Sequence, residues 1–241
     1  MPKRRDLLLS FAASVAAAEE QETTIYIPEK QAEKDRPLLL DFMDEYSFAM
    51  LVTGQSSVTG QSSVQITNVP TVLDRAAGGS TGWGKLWWHL AKSNPQNAGM
   101  KGPVTVVFRG PYGYISPNWY QSKNAVPTWN FAVVHVTGTP RRIESDAELV
   151  AGLRGLVGQN ESRYGGGDNW RFDQLPDSYL KGMRAGVIGY EMTIEKVEGK
   201  FKLGHERKEE DRAGVLKGLE KSPKERGLSA LTEAYYRKTK L

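Results

Sequence analysis

Leu86-Trp87-Trp88-His89-Leu90-Ala91-Lys92-Ser93-Asn94-Pro95-Gln96 opens the stretch on which the fold turns. Val104-Thr105-Val106-Val107-Phe108 follows, then Arg109-Gly110-Pro111-Tyr112-Gly113-Tyr114-Ile115-Ser116-Pro117-Asn118-Trp119-Tyr120, and finally Val126-Pro127-Thr128-Trp129-Asn130. Four of the six tryptophans lie inside it. Proline removes a donor and glycine loosens the backbone, so this mixture with aromatic rings suits neither a plain helix nor a plain strand. It predicts loops that shape a pocket. Ordinary core aromatics and ordinary turns are the plainer alternative.

The side chains on offer are those a planar ligand uses. Trp87, Trp88, Tyr114, Trp119, Tyr120 and Trp129 supply flat polarisable surface. Asn94, Ser116, Thr128 and Asn130 supply neutral donors and acceptors, and His89, Lys92 and Arg109 supply protons or positive charge. A flavin needs all three: apolar walls for its ring, polar contacts at the edge, and a cation with hydroxyl or amide donors at its phosphate.

In order, His89-Leu90-Ala91-Lys92-Ser93-Asn94-Pro95-Gln96, Gly110 through Tyr120, and Val126-Pro127-Thr128-Trp129-Asn130-Phe131 resemble the three signature blocks of the PaiB-like FMN-binding negative transcriptional regulators. Tyr26-Ile27-Pro28 resembles that family's usual start, and the resemblance covers residues 26–219. It implies a mainly β fold with peripheral helices, an FMN-binding split β-barrel of Greek-key type, and a homodimer holding FMN near its interface. The cofactor-binding residues it implies are Thr67, Asn68, Trp88, His89, Ala91, Lys92, Asn94, Ser116, Trp119, Tyr120, Thr128, Trp129, Asn130, Lys202 and Arg207. The ring is expected against the Trp87-Trp88-His89 and Trp119-Tyr120 segments, with Thr128, Trp129 and Asn130 completing the wall. The phosphate is expected near Lys92, with Lys202 and Arg207 as further cations.

The chain departs from the family at two places. Asn68 stands where the family has a histidine, so no titrating imidazole is available there, although an amide can still hydrogen-bond a flavin edge. Lys202-Leu203-Gly204-His205-Glu206-Arg207 replaces Lys-Leu-Ser-Gln-Asn-Arg, which keeps the cations and removes the neutral polar residues. A pocket that keeps the fold but takes another ligand is therefore also open.

The first residues read as a leader. Met1-Pro2-Lys3-Arg4-Arg5-Asp6 is basic, residues 7–15 are apolar, and Ala16-Ala17-Ala18 is a small-residue cleavage site, so residues 1–18 match a signal peptide. Arg4-Arg5 gives it a twin-arginine look, the route for proteins exported already folded. An N-terminal amphipathic helix is the alternative. The formal charge is +4, of which the leader carries +2, and so mild an excess with no helix-turn-helix or basic stripe argues against nucleic-acid binding. There are no cysteines and only His89, His135 and His205, without metal-ligand spacing, so thiolate chemistry is excluded and no metal site is expected.

The remaining chain divides into a barrel domain at 19–221 and a C-terminal helix at 222–241. Thr24-Ile25-Tyr26-Ile27 predicts a short strand and Asp35 with Pro37 a capped helix, and residues 46–53 predict the first barrel strand. The tandem copies Val-Thr-Gly-Gln-Ser-Ser at 52–57 and 58–63 predict a lengthened hairpin. Ser145 with Glu148 is a capping box, residues 160–170 predict a loop, and residues 186–196 alternate as a half-buried strand. Glu198-Gly199 predicts a turn, and residues 202–212 a solvated charged turn or a ligand-binding one. His135 reads as a packed strand residue because no sequence neighbour orients it as acid or base. In all, about six or seven strands are expected. Two functions are carried forward: an exported, periplasmic FMN flavoprotein, and a cytoplasmic FMN-binding transcriptional regulator. Oxidoreductase activity stays open, since no nucleophile or acid–base pair stands out and a flavin would carry the electron chemistry.

Overall fold

The computed structural model of this chain describes residues 23–56, 62–77, 81–166 and 170–241. The leader pattern, the middle of the tandem repeat and the last glycine of the 165–167 run lie outside the described residues. In chain order the elements are β1 (Ala32–Glu33), α1 (Arg36–Glu45), β2 (Phe48–Ser56), β3 (Ser62–Pro70), β4 (Val72–Asp74), β5 (Lys85–Ala91), β6 (Val104–Ile115), β7 (Thr128–Gly138) and β8 (Pro140–Arg142). They continue as α2 (Asp146–Tyr164), α3 (Asp177–Ala185), β9 (Val187–Thr193), β10 (Lys196–Lys202), α4 (Glu209–Glu220) and α5 (Arg226–Lys238). A six-stranded sheet runs β1-β10-β7-β6-β2-β3 and a four-stranded sheet β4-β5-β9-β8, with every pairing antiparallel.

Alternation along the strands places the core between the sheets. Leu51, Val106, Phe108, Val134 and Val136 turn inward from the larger sheet and meet Leu86, Trp88, Met192 and Ile194. Burying such side chains contributes about 1.5–3 kcal/mol each relative to exposure. Phe42, Met43 and Leu39 of α1 and Leu228, Tyr235 and Tyr236 of α5 join the same core. Asp35 accepts from the Leu38 backbone N–H at 2.7 Å and starts α1 as expected. Trp87, on the opposite face of β5, packs with Ile143 and Leu156 under α2.

One irregularity decides what the larger sheet shows to the outside. Between Arg109 and Tyr112 the register of β6 against β7 shifts by one residue, at Gly110-Pro111. Strict alternation from Val107 and Arg109 would turn Tyr112 and Tyr114 inward. The bulge residue reverses this, so Gly113 and Ile115 are buried and both tyrosines face out. Gly110-Pro111-Tyr112-Gly113-Tyr114, expected as pocket loop, is thus strand, because a bulge accommodates proline's missing donor inside a ladder.

Other expectations are corrected. Residues 24–27 form no strand, and the first barrel strand begins at Phe48. Glu198 and Gly199 lie within β10; a Cβ on Gly199 would stand 2.4 Å from Leu39 Cδ2, so the glycine serves close packing of α1, and the turn falls at Ile194-Glu195. Helix α2 runs on to Tyr164, where Gln159 donates to the Thr71 carbonyl at 3.0 Å and Arg163 to that of Asp44. Helices α3 and α4 were not foreseen. Each hides one narrow apolar line, around Leu180 and around Val215 with Leu219, among charges.

Candidate functional site

The outward face of the six-stranded sheet carries the site. Asn68 faces Met50, Met50 faces Val107, Val107 faces His135 and His135 faces Glu198 in one row across β3, β2, β6, β7 and β10. Along this face Met50, Val107, Arg109, Tyr112, Trp129, Phe131 and Val133 line a cleft of about 550 Å³, within the range of small-molecule sites. Trp129 stands edge-on to Tyr114 with centroids 5.9 Å apart, and lies 6.1 Å from Tyr112. The Arg109 guanidinium covers the Tyr112 ring at 4.0 Å.

Positive charge gathers here without acid partners. Lys200 Nζ donates to the Tyr26 carbonyl at 2.9 Å and Lys202 Nζ to Thr128 Oγ1 at 2.6 Å. Among the described residues no carboxylate lies within 4.0 Å of the cationic nitrogens of Arg109, Lys200 or Lys202. Burial, then the neighbouring Lys202 charge, pulls the Lys200 ammonium below the usual lysine range. A second groove of similar volume, between α1 and α5, has its cation Lys238 beside Asp35 at 3.7 Å and Asp41 at 4.0 Å.

The residues expected at the cofactor fall into separate groups. Asn68, Trp129 and Lys202, the last joined to Thr128, share the cleft face. Ala91, Lys92 and Asn94 sit at and beyond the end of β5, where Asn94 accepts from the Gln96 N–H at 2.9 Å and donates to Thr67 Oγ1 at 3.1 Å. Trp88 is fully buried and stacks on Tyr190 at 5.9 Å. His89 points to the opposite face of β5 beside Trp87, and burial lowers its pKa. At the far end Ser116 caps the short helix Pro117–Trp119, Trp119 lies under Gly214 and Gly218 of α4, and Tyr120 lies 3.9 Å beneath the Arg207 guanidinium. Asn130 is turned inward and buried.

Met50, Val107, Tyr112, Phe131 and Val133 were absent from the expected set, while Arg109 was foreseen as a source of charge. Phe131 and Val133 were legible as one face of an alternating strand; Tyr112 required the bulge, and Met50 the pairing of β2 with β6.

The fold and its open aromatic face define a class, the split β-barrel. Residues 25–196 match the family described as "Putative FMN-binding domain", and the chain belongs to this PaiB-like FMN-binding family. It is 29% identical over 213 residues to the Protease synthase and sporulation protein PAI 2 of Bacillus subtilis, covering 87% of this chain and 97% of that one. It is 31% identical over 191 residues to an uncharacterized protein of Emericella nidulans, covering 65% of this chain and 75% of that one. Among solved structures the flavocytochrome Anf3 from Azotobacter vinelandii superposes with a TM-score of 0.51 at 15% identity, over 78% of each chain, a likeness of fold.

Proposed function

We propose that this protein is an FMN-binding flavoprotein whose cofactor lies in the cleft of the six-stranded sheet, covered by a second copy of the chain. The observation that carries this reading is an aromatic cleft bordered by three cations that no carboxylate among the described residues neutralises. A dianionic phosphate leaving water needs such charges, and the Lys202–Thr128 pair offers it an ammonium and a hydroxyl together. Tyr112, Trp129 and Phe131 offer the ring its wall, and Arg109 a donor above it. When bound, FMN supplies electron transfer; the chain orients it and keeps water from its ring.

The second copy is supported by what the face leaves uncovered. Phe48, Ile66 and Trp129 are 69%, 61% and 52% exposed on the same side of the six-stranded sheet. Apolar patches of this kind mark interaction surfaces, and a face-to-face pair would bury them and close the cleft. The leader pattern supports an exported, periplasmic protein over a cytoplasmic regulator, although the Bacillus relative carries sporulation in its name.

The absorption spectrum of the purified protein, before and after reconstitution with FMN, tests the reading. Flavin bands that persist through gel filtration are expected. Failure to retain or quench FMN at micromolar concentration would overturn it.

A further inference from the structure

His135 read from sequence as a packed strand residue without an orienting partner, and the fold supplies that partner from 111 residues away. Thr24 Oγ1 lies 3.0 Å from His135 Nδ1 and donates to Glu198 Oε2 at 2.8 Å; the Thr24 backbone N–H donates to the same oxygen at 3.1 Å. Glu198 is 9% exposed, and its other oxygen lies 3.3 Å from Lys196 Nζ. A hydroxyl has one proton. Because Thr24 gives it to the carboxylate, its oxygen can only accept from the ring, which places the histidine proton on Nδ1 and leaves Nε2 with a free lone pair. Among the described residues Nε2 has no protein partner.

Position gives that lone pair a use. His135 faces Val107 across the β6–β7 ladder and shares its side of β7 with Val133, and both valines line the cleft. The charged groups on the elements packed around it are Glu198, Lys196 and Lys200 on β10 and Arg109 on β6; β2 and β3 present neutral Met50 and Asn68 to the same row. Burial outweighs the carboxylate and lowers the ring's pKa, so the imidazole stays neutral near neutral pH. The cleft lining itself offers apolar surface, the Arg109 and Trp129 donors and the Tyr112 hydroxyl, but no ring nitrogen with a free lone pair.

We propose that His135 Nε2, at the border of the cleft beside Val107 and Val133, is the acceptor that takes the single ring N–H of an oxidised flavin, the imide proton. This rests on the flavin reading above. It orients the ring, since the imide edge goes to His135 while the phosphate goes to Lys202, four residues along the ladder or about 13 Å away. His135 is then a cofactor-positioning residue whose acceptor is set by Thr24 and Glu198. Thr24 lies just outside the region matched by the family, which starts at residue 25.

Two measurements test it. Long-range proton–nitrogen NMR of the flavin-free protein should show His135 as the Nδ1–H tautomer; an Nε2–H ring would overturn the proposal. Fluorescence titration with riboflavin and its N3-methyl derivative should give the parent protein about tenfold preference for riboflavin, the worth of one hydrogen bond to a half-buried acceptor. H135F should bind the two alike. Equal affinities in the parent, or a preference that survives in H135F and so reflects bulk, would overturn the proposal and leave the flavin site standing; absence of any flavin binding brings down both. Should H135F lose its native circular dichroism, T24V removes only the fixing hydroxyl, and the same loss of preference is expected.

Discussion

Lys202 Nζ donates to Thr128 Oγ1 at 2.6 Å, tying the end of β10 to the start of β7 beside the aromatic cleft. A lysine paired with a hydroxyl keeps its full charge for an anion. Lys202→Met is expected to weaken FMN by about tenfold to a hundredfold, the equivalent of about 1.5–3 kcal/mol for a charged hydrogen bond, and to leave riboflavin nearly unchanged. Parallel titrations of apo-protein read the difference. Equal losses for both ligands would move the phosphate away from Lys202.

Trp129 is half exposed at the cleft and touches the ring common to both flavins on the proposed reading. Trp129→Ala should weaken FMN and riboflavin alike, by about threefold to tenfold, because a stacked aromatic contributes about 0.5–1.5 kcal/mol beyond its area. Selective loss of one ligand would contradict its place on the wall.

Pairing of two chains through the open sheet face predicts a sedimenting mass about twice that of the chain at micromolar concentration. Ile66, 61% exposed on the edge strand β3, belongs to this face through its pairing with Val52. Ile66→Glu should drive the protein to monomer with unchanged circular dichroism, since a lone carboxylate in an apolar interface loses its hydration. A monomeric parent would remove the paired arrangement.

Asp211 is 3% exposed and accepts from the backbone N–H groups of Ser122 at 2.9 Å and Gln121 at 2.8 Å. The hydrogen bonds from Ser122, then that from Gln121 and the Arg207 charge, hold its carboxyl below the usual carboxylate range against the opposing effect of burial. A depressed pKa contributes stability that is present above the ordinary carboxylate value and is lost as pH falls through the folded value. Asp211→Asn should therefore be less stable at about pH 7, and its stability should fall less steeply on acidification to about pH 3, by urea unfolding. Parallel curves for the two proteins would show that Asp211 carries none of the dependence.

Export through a cleaved leader predicts an intact mass lacking the first 18 residues for protein recovered from a bacterium with a twin-arginine system. Full-length protein confined to the cytoplasm would favour the regulator instead.

What the sequence by itself determined rests on local rules. Asp35 before Pro37 caps α1, Ser145 accepts from the Glu148 N–H and starts α2, and the alternation through Tyr190 and Met192 holds as far as Thr193; each depends on neighbours within a few residues. The signature blocks named the family because their order is a property of the chain. Which aromatics stand open on the sheet face depended on the tertiary structure. Trp88 and Trp129 are alike as residues, yet one is sealed beneath Tyr190 and the other stands open beside Tyr112. A one-residue bulge at Gly110-Pro111 turned Tyr112 and Tyr114 outward, and no periodicity announces where a ladder slips. The orientation of His135 required Thr24 and Glu198, brought together by the pairing of β7 with β10 and the path of the N-terminal segment across it. Side-chain chemistry is written residue by residue, but which groups meet depends on strand register, and register is set by the packing of the whole core.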